Sequence, residues 1–185
     1  MLQRLFLGFA PTEIQRQQLG QLQHILASSL NPTAKGVTTA NFHLTLAFLG
    51  RVTESQRQQL INILDVLDKP RLSVRLHQIA LWPKAQVCCL KGTEVGAELA
   101  LLAEQTQAIV RDLGLHVSEH AFHPHISLFR KAKNLSLAQE TCLSSLPNMP
   151  FHELVLVPDA LHLYHSASTQ SGVEYRLLHT WPLGK

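Results

Sequence analysis

Two short segments of this chain carry the same pattern, and that repeat constrains the fold more than any other feature. Val37 leads into Phe42-His43-Leu44-Thr45-Leu46, and Val117 leads into Phe122-His123-Pro124-His125-Ile126-Ser127-Leu128. In each, a histidine is followed two positions later by a hydroxyl residue, with aliphatic residues between and after. A strand sends successive side chains to opposite faces, so His43 and Thr45 share one face while Leu44, Leu46 and Phe48 share the other. The same split sets His125 and Ser127 against Ile126 and Leu128. Ala47 comes next on the polar face of the first strand, where its small side chain leaves room. Each half of the chain therefore builds a strand with core on one side and an imidazole plus a hydroxyl on the other. Duplicated halves facing each other make a cleft.

The elements around these strands follow from local signals. Leu5 to Phe9 is a short apolar run stopped by Pro11, and it reads as a buried strand. Thr12 and Gln15 have the spacing of a capping box, opening a helix with Leu19, Leu22, Ile25 and Leu26 on one face and running to about Ser28. The first motif strand ends at Gly50. Thr53 and Gln56 form a second box, before a helix with Leu60, Ile61, Leu64 and Leu67. Strands over about Leu72 to Leu81 and Gln86 to Leu90 are joined as a hairpin through Trp82-Pro83-Lys84-Ala85. The longest helix carries Val95, Leu99, Leu102, Thr106, Ile109 and Leu113, and Gly114 is placed to end it. That stripe is core. The second motif strand spans about His125 to Phe129, and antiparallel strands follow near Glu153 to Val157, Ala160 to His165 and Val173 to Trp181.

Composition narrows the function classes. At 185 residues, 45% hydrophobic and 16% charged, the chain has the length and core of one ordinary globular domain. A formal net charge of +3 suits an anionic ligand but falls far short of a protein that coats a duplex. The apolar stretch Leu5 to Ala10 is too short for a signal segment or a membrane span, so neither export nor a membrane is expected. Three cysteines, two of them adjacent (Cys88 and Cys89), make neither a disulfide framework nor a metal spacing, and a reducing cytoplasm is the simplest setting.

The chemistry lies in the pair of imidazoles. Two of them facing one cleft suit an in-line displacement at phosphorus: one takes a proton from entering water while the other gives a proton to the leaving oxygen. Their ordinary pKa near 6.5 serves both tasks at neutral pH. Hydroxyl donors on the non-bridging oxygens add electrostatic stabilisation. No metal is then required. With no nucleophile paired to a base and an orienting acid, direct attack by water is favoured over a covalent intermediate.

The blocks Asn41-Phe-His-Leu-Thr-Leu-Ala-Phe-Leu-Gly50 and Phe122-His-Pro-His-Ile-Ser-Leu128 resemble the paired HxT/S signatures of the 2H phosphoesterases. The resemblance is strongest to the bacterial RNA 2′,3′-cyclic phosphodiesterases, once described as 2′-5′ RNA ligases, and it extends over essentially the whole chain. Ser127 stands where threonine is frequent in that family, which keeps the hydroxyl. The resemblance implies an α+β fold in which residues 1–185 form a single domain of two pseudo-symmetric lobes. Two antiparallel β-sheets would flank a central cleft, with helices outside. It implies His43 as proton donor and His125 as proton acceptor, with Thr45 and Ser127 holding the phosphate. It further implies hydrolysis of an RNA terminal 2′,3′-cyclic phosphate to a 2′-phosphomonoester. The partners would be RNA ends or nucleotides bearing that cyclic phosphate, with no cofactor and no metal, and a monomer is expected. Arg130 matches an arginine often found after the second motif, suited to a forked contact with phosphate.

Other readings use the same residues. The cluster His116, His120, His123 and His125 invites a metal, but only Glu119 lies near it, and no familiar metallohydrolase spacing is completed. Lys131 and Lys133 extend the basic run as backbone contacts or as solvated surface. Phe48 and Trp82 could stack a base, although alternation puts Phe48 on the core face and leaves Trp82 open. An RNA-end-binding module without turnover, and the reverse 2′-5′ joining reaction, are the rival functions.

Overall fold

The computed structural model describes residues 2–138, 140–170 and 172–184. Strand β1 (Gln3–Phe9) alternates as its composition requires: Leu5, Leu7 and Phe9 enter the core, and Arg4, Phe6 and Gly8 point the other way. Helix α1 (Glu13–Leu26) starts at the expected capping box, with the Thr12 hydroxyl accepting from the Gln15 N–H and the Gln15 side chain accepting from the Thr12 N–H. Such a box contributes about 1 kcal/mol and fixes where the helix begins. The same device at Thr53 and Gln56 opens α2 (Glu54–Val66). Leu19, Leu22 and Leu26 of α1 and Leu60 and Leu64 of α2 pack into one continuous core with the apolar face of β1 and of β3 (Leu44–Val52).

Helix α3 (Ala97–Asp112) adds Leu99, Leu102, Ala103 and Val110 to that core, and Gly114, at φ +63°, closes it in the left-handed conformation expected of it. Val95 lies before the helix and is 36% exposed, so the apolar stripe starts at Leu99 and not at Val95. The expected strand from Leu72 to Leu81 is two strands in different sheets. Residues Val74–Leu76 (β4) pair with Leu154–Leu156 (β9) in a two-stranded sheet, while Gln78–Trp82 (β5) pairs with Val87–Lys91 (β6). His77 is the hinge, its N–H bonding the Lys91 carbonyl and its own carbonyl accepting from Leu143, which redirects the chain between the two.

The large sheet is antiparallel throughout, in the order β11-β10-β1-β3-β7-β6-β5-β8, with β7 at His125–Arg130, β8 at Glu140–Cys142, β10 at Ala160–Thr169 and β11 at Gly172–Pro182. The two repeated strands lie side by side at its centre. They touch at one register pair, Leu44 opposite Ile126. Past that point β3 and β7 diverge, and the two-residue strand β2 (Lys35–Gly36) takes the place beside β7. The Gln23 side chain bridges there, donating to the Val37 and Leu128 carbonyls at 2.9 and 2.7 Å. Strands β2 and β8 are too short to have any hydrophobic period and were not anticipated.

Three bulges decide which side chains reach the face away from the core. Against β1, strand β3 has extra residues at Leu46 and Leu49; against β6, strand β7 has one at Leu128. Each extra residue reverses the alternation after it. Ala47 therefore pairs with Leu7 and is buried in the core rather than lying beside Thr45, and Phe48 pairs with Phe6 on the polar face, 52% exposed. Both reverse the simple alternation expected of that strand. The same device brings Arg130, opposite Val87, onto the face of Ser127. Gly8 lies under this region because a Cβ there would sit 2.6 Å from the Leu44 carbonyl oxygen. At Gly50 the second bulge needs φ +71°, which glycine adopts without strain.

Candidate active site

His43 and Thr45 flank Leu44, and His125 and Ser127 flank Ile126. Since Leu44 and Ile126 face each other with their side chains fully buried, the four polar side chains share the opposite face of the sheet. Antiparallel order centred on that pair sets His43 on the side of Ser127 and Thr45 on the side of His125. Each half thus contributes one imidazole and one hydroxyl to a single patch.

The two imidazoles are held in the same way. His43 Nδ1 lies 2.7 Å from the Asn41 carbonyl oxygen, and His125 Nδ1 lies 2.8 Å from that of His123. A carbonyl only accepts, so Nδ1–H is the donor in both rings and Nε2 is the nitrogen left to exchange protons. Aromatic rings fix the ring planes: Phe6 at 4.6 Å and Tyr175 edge-on at 4.9 Å against His43, and Trp82 edge-on at 4.5 Å against His125. Tyr175 belongs to β11, and the Asn41 side chain donates to the Val173 carbonyl at 2.7 Å, so the β10–β11 hairpin is tied to the segment that orients His43. From the other side, Arg16 Nη1 donates to the carbonyls of Thr39 and Ala40 at 2.8 and 3.0 Å, bracing the turn that leads to Asn41.

Burial and nearby positive charge both favour the neutral form of the two rings. Burial pushes the His43 pKa down from 6.5 to about 4; its bond to Asn41 opposes the shift, and the positive fields of Arg130, His125 and Arg16 add to it. His125 is lowered for the same leading reason, burial, with Arg130 and His123 contributing. Arg130 acts on both histidines, which places its charge near the shared patch although its side chain is exposed. An anion bound between these groups would offset the positive fields and favour a protonated imidazole.

The burial of neutral His43 has a consequence for stability. Between pH 6.5 and about 4 the unfolded chain binds a proton that folded His43 does not, so stability falls as the pH drops through that window. The full effect is about 3 kcal/mol and is absent above pH 6.5. Urea midpoints at pH 7 and pH 4.5 should therefore differ more for the wild type than for His43→Gln; equal losses in the two would contradict the burial argument.

All five residues expected from the sequence, His43, His125, Thr45, Ser127 and Arg130, fall on this one face. Lys131 and Lys133 lie beyond the end of β7: Lys131 is left-handed at φ +56°, and Asn31 holds the backbone of both in an exposed loop. His123 contributes its carbonyl and not its ring, and among the described residues no group of three or more His, Cys, Asp or Glu side chains is arranged to hold a metal. Phe6, Tyr175 and Arg16 were not found from sequence. Phe6 alone had a readable signal, a large aromatic at the outward position of an otherwise core strand.

A family model described as LigT-like phosphoesterase matches residues 10–89, a stretch that includes His43 and Thr45. The RNA 2′,3′-cyclic phosphodiesterase of Escherichia coli is 28% identical over 183 residues, covering 98% of this chain and 97% of that protein. The enzyme of the same name from Aeropyrum pernix is 28% identical over 123 residues, 64% of this chain and 69% of its own. Among solved structures, one described as a phosphoesterase superposes with a TM-score of 0.85 at 25% identity, each chain covered in full. That of Escherichia coli LigT complexed with 3′-AMP gives 0.83 at 25%, also over all of both chains.

Proposed function

We propose that this chain, which is similar to the LigT-like phosphoesterases over residues 10–89 and to an RNA 2′,3′-cyclic phosphodiesterase over nearly its whole length, hydrolyses the 2′,3′-cyclic phosphate at an RNA end to a 2′-phosphomonoester. The observation that carries the proposal is the matched pair of imidazoles, each with Nδ1–H committed to a backbone carbonyl and Nε2 free, on one face across Leu44 and Ile126. The cyclic phosphate lies between them. His125 Nε2 accepts a proton from water as its oxygen attacks phosphorus, the bond from phosphorus to the 3′-oxygen breaks, and His43 Nε2–H protonates that departing oxygen. Thr45 and Ser127 donate their hydroxyl hydrogens to the non-bridging oxygens, and Arg130 adds a charge-assisted contact.

An anionic phosphate beside His43 offsets the positive fields of Arg130, His125 and Arg16 and raises the pKa of the ring, which takes its proton from solvent and gives it to the departing oxygen. The exposed ring of Phe48 and the indole of Trp82 are flat surfaces on which a terminal base can stack. The structure of Escherichia coli LigT complexed with 3′-AMP supports a nucleotide ligand for this chain. The continuous core shared by the elements that carry these groups supports a single domain. No helix among the described residues is long and apolar enough to cross a membrane. Unpaired Cys88, Cys89 and Cys142 suit a reducing cytoplasm.

The test is incubation of EDTA-treated protein with 2′,3′-cyclic AMP and identification of the product. Adenosine 2′-monophosphate, formed at an undiminished rate in EDTA, is the expected result. Phosphate-dependent binding with no turnover at any pH would mean a binding module, and the 3′-monophosphate as product would mean the wrong bond had been assigned.

A further inference from the structure

Across β1 and β3, Arg4 stands directly opposite Arg51. Both side chains are exposed, while their neighbours Gln3 and Val52 turn toward the helices, Val52 being 1% exposed. Arg4 is two residues from Phe6 on an unbulged stretch of β1, so it shares the face of Phe6 and, through that ring, of His43. Like charges directly opposed on neighbouring strands destabilise the pairing. Nearby acids do not relieve them: Glu54 is engaged by Arg57, and no ion pair among the described residues includes Arg4 or Arg51. Two exposed arginines at paired positions of neighbouring strands, without an ion pair among the described residues, offer guanidinium groups that an anion can bridge.

Position identifies the anion. Gly8 is opposite Thr45, and Arg4 lies four residues further along β1, a separation of about 13 Å at the rise of a strand. The exposed ring of Phe48, opposite Phe6, lies between the two rows. The arginines are therefore too far away to hold the reacting phosphate and are on the same open face. We propose that Arg4 and Arg51 form a second subsite that binds a backbone phosphate upstream of the terminal nucleotide, making the protein selective for RNA chains over free cyclic nucleotides. This rests on the cleft between His43 and His125 being the site of hydrolysis.

The test compares 2′,3′-cyclic AMP with a hexaribonucleotide ending in 2′,3′-cyclic phosphate, on the wild type and on the Arg4→Gln/Arg51→Gln double variant. For the wild type, KM for the hexamer should be about tenfold below that for the mononucleotide, and the double variant should lose that advantage with kcat unchanged. Its slope of log KM against log salt for the hexamer should fall by about 0.7 for each backbone contact removed. Activity on the mononucleotide should not change, and melting should occur at or above the wild-type temperature once the opposed charges are gone. Should the double variant fold poorly, Arg51→Glu replaces it: a carboxylate facing Arg4 completes an ion pair and closes the subsite, with the same loss for the hexamer. Equal KM for the two substrates, or a hexamer KM untouched by the substitutions, overturns the proposal. So does stabilisation of the wild type alone by inorganic phosphate with no change in hexamer KM, which would mark a free-anion site. Loss of turnover on both substrates in the wild type would instead contradict the proposed function.

Discussion

Alanine at His43 or at His125 is expected to lower the turnover of a 2′,3′-cyclic nucleotide by about 10² to 10⁴ each, the usual value of one positioned proton transfer. The protein should stay folded. His43 is buried and neutral, and its ring is held by Phe6 and Tyr175, so truncation leaves a small cavity but no stranded charge. His125 is only partly buried, and its loss costs less packing. If the two act on opposite sides of one phosphorus as proposed, the effects should not add: once one transfer is lost, removing the second changes little. Turnover at the wild-type rate by both single variants would show that neither ring takes part.

Arg130→Gln is expected to cost about 10² in kcat/KM, the typical loss when one charged donor to a phosphate oxygen is removed. The loss should come with a second signature. Arg130 is one of the charges that lower the pKa of both His43 and His125, so its removal lets both rise and moves the acid limb of the pH profile to higher pH. Arg130→Lys should restore much of the limb position, which depends on charge, and less of the rate, which depends on the fork. A kcat/KM within twofold of wild type with an unchanged profile would place Arg130 outside the chemistry.

The sequence made the two motif strands legible because the motifs are local. A histidine and a hydroxyl two positions apart on a strand share a face whatever the rest of the chain does, and both capping boxes begin helices where Thr12 and Thr53 set them. The adjacency of the two strands was legible only as symmetry, and its register, Leu44 against Ile126, only from the structure. Phe48 and Ala47 exchanged faces because the bulge at Leu46 depends on the partner strand, which β3 alone does not encode. Tyr175 and Trp82 reach the imidazoles from hairpins distant in sequence, and no local period marks such contacts. Arg16 reads on the sequence as one more polar residue of a helix; its role lies in three carbonyls of a turn more than twenty residues away.

The division of labour between two imidazoles of fixed tautomer is tested most directly by the pH dependence of kcat in the wild type and the two single variants. The wild type should give a bell, its acid limb reporting the base that must be neutral and its alkaline limb the donor that must be protonated. His125→Ala should keep only the alkaline limb, and His43→Ala only the acid one. A bell with both limbs intact in either variant would contradict the account.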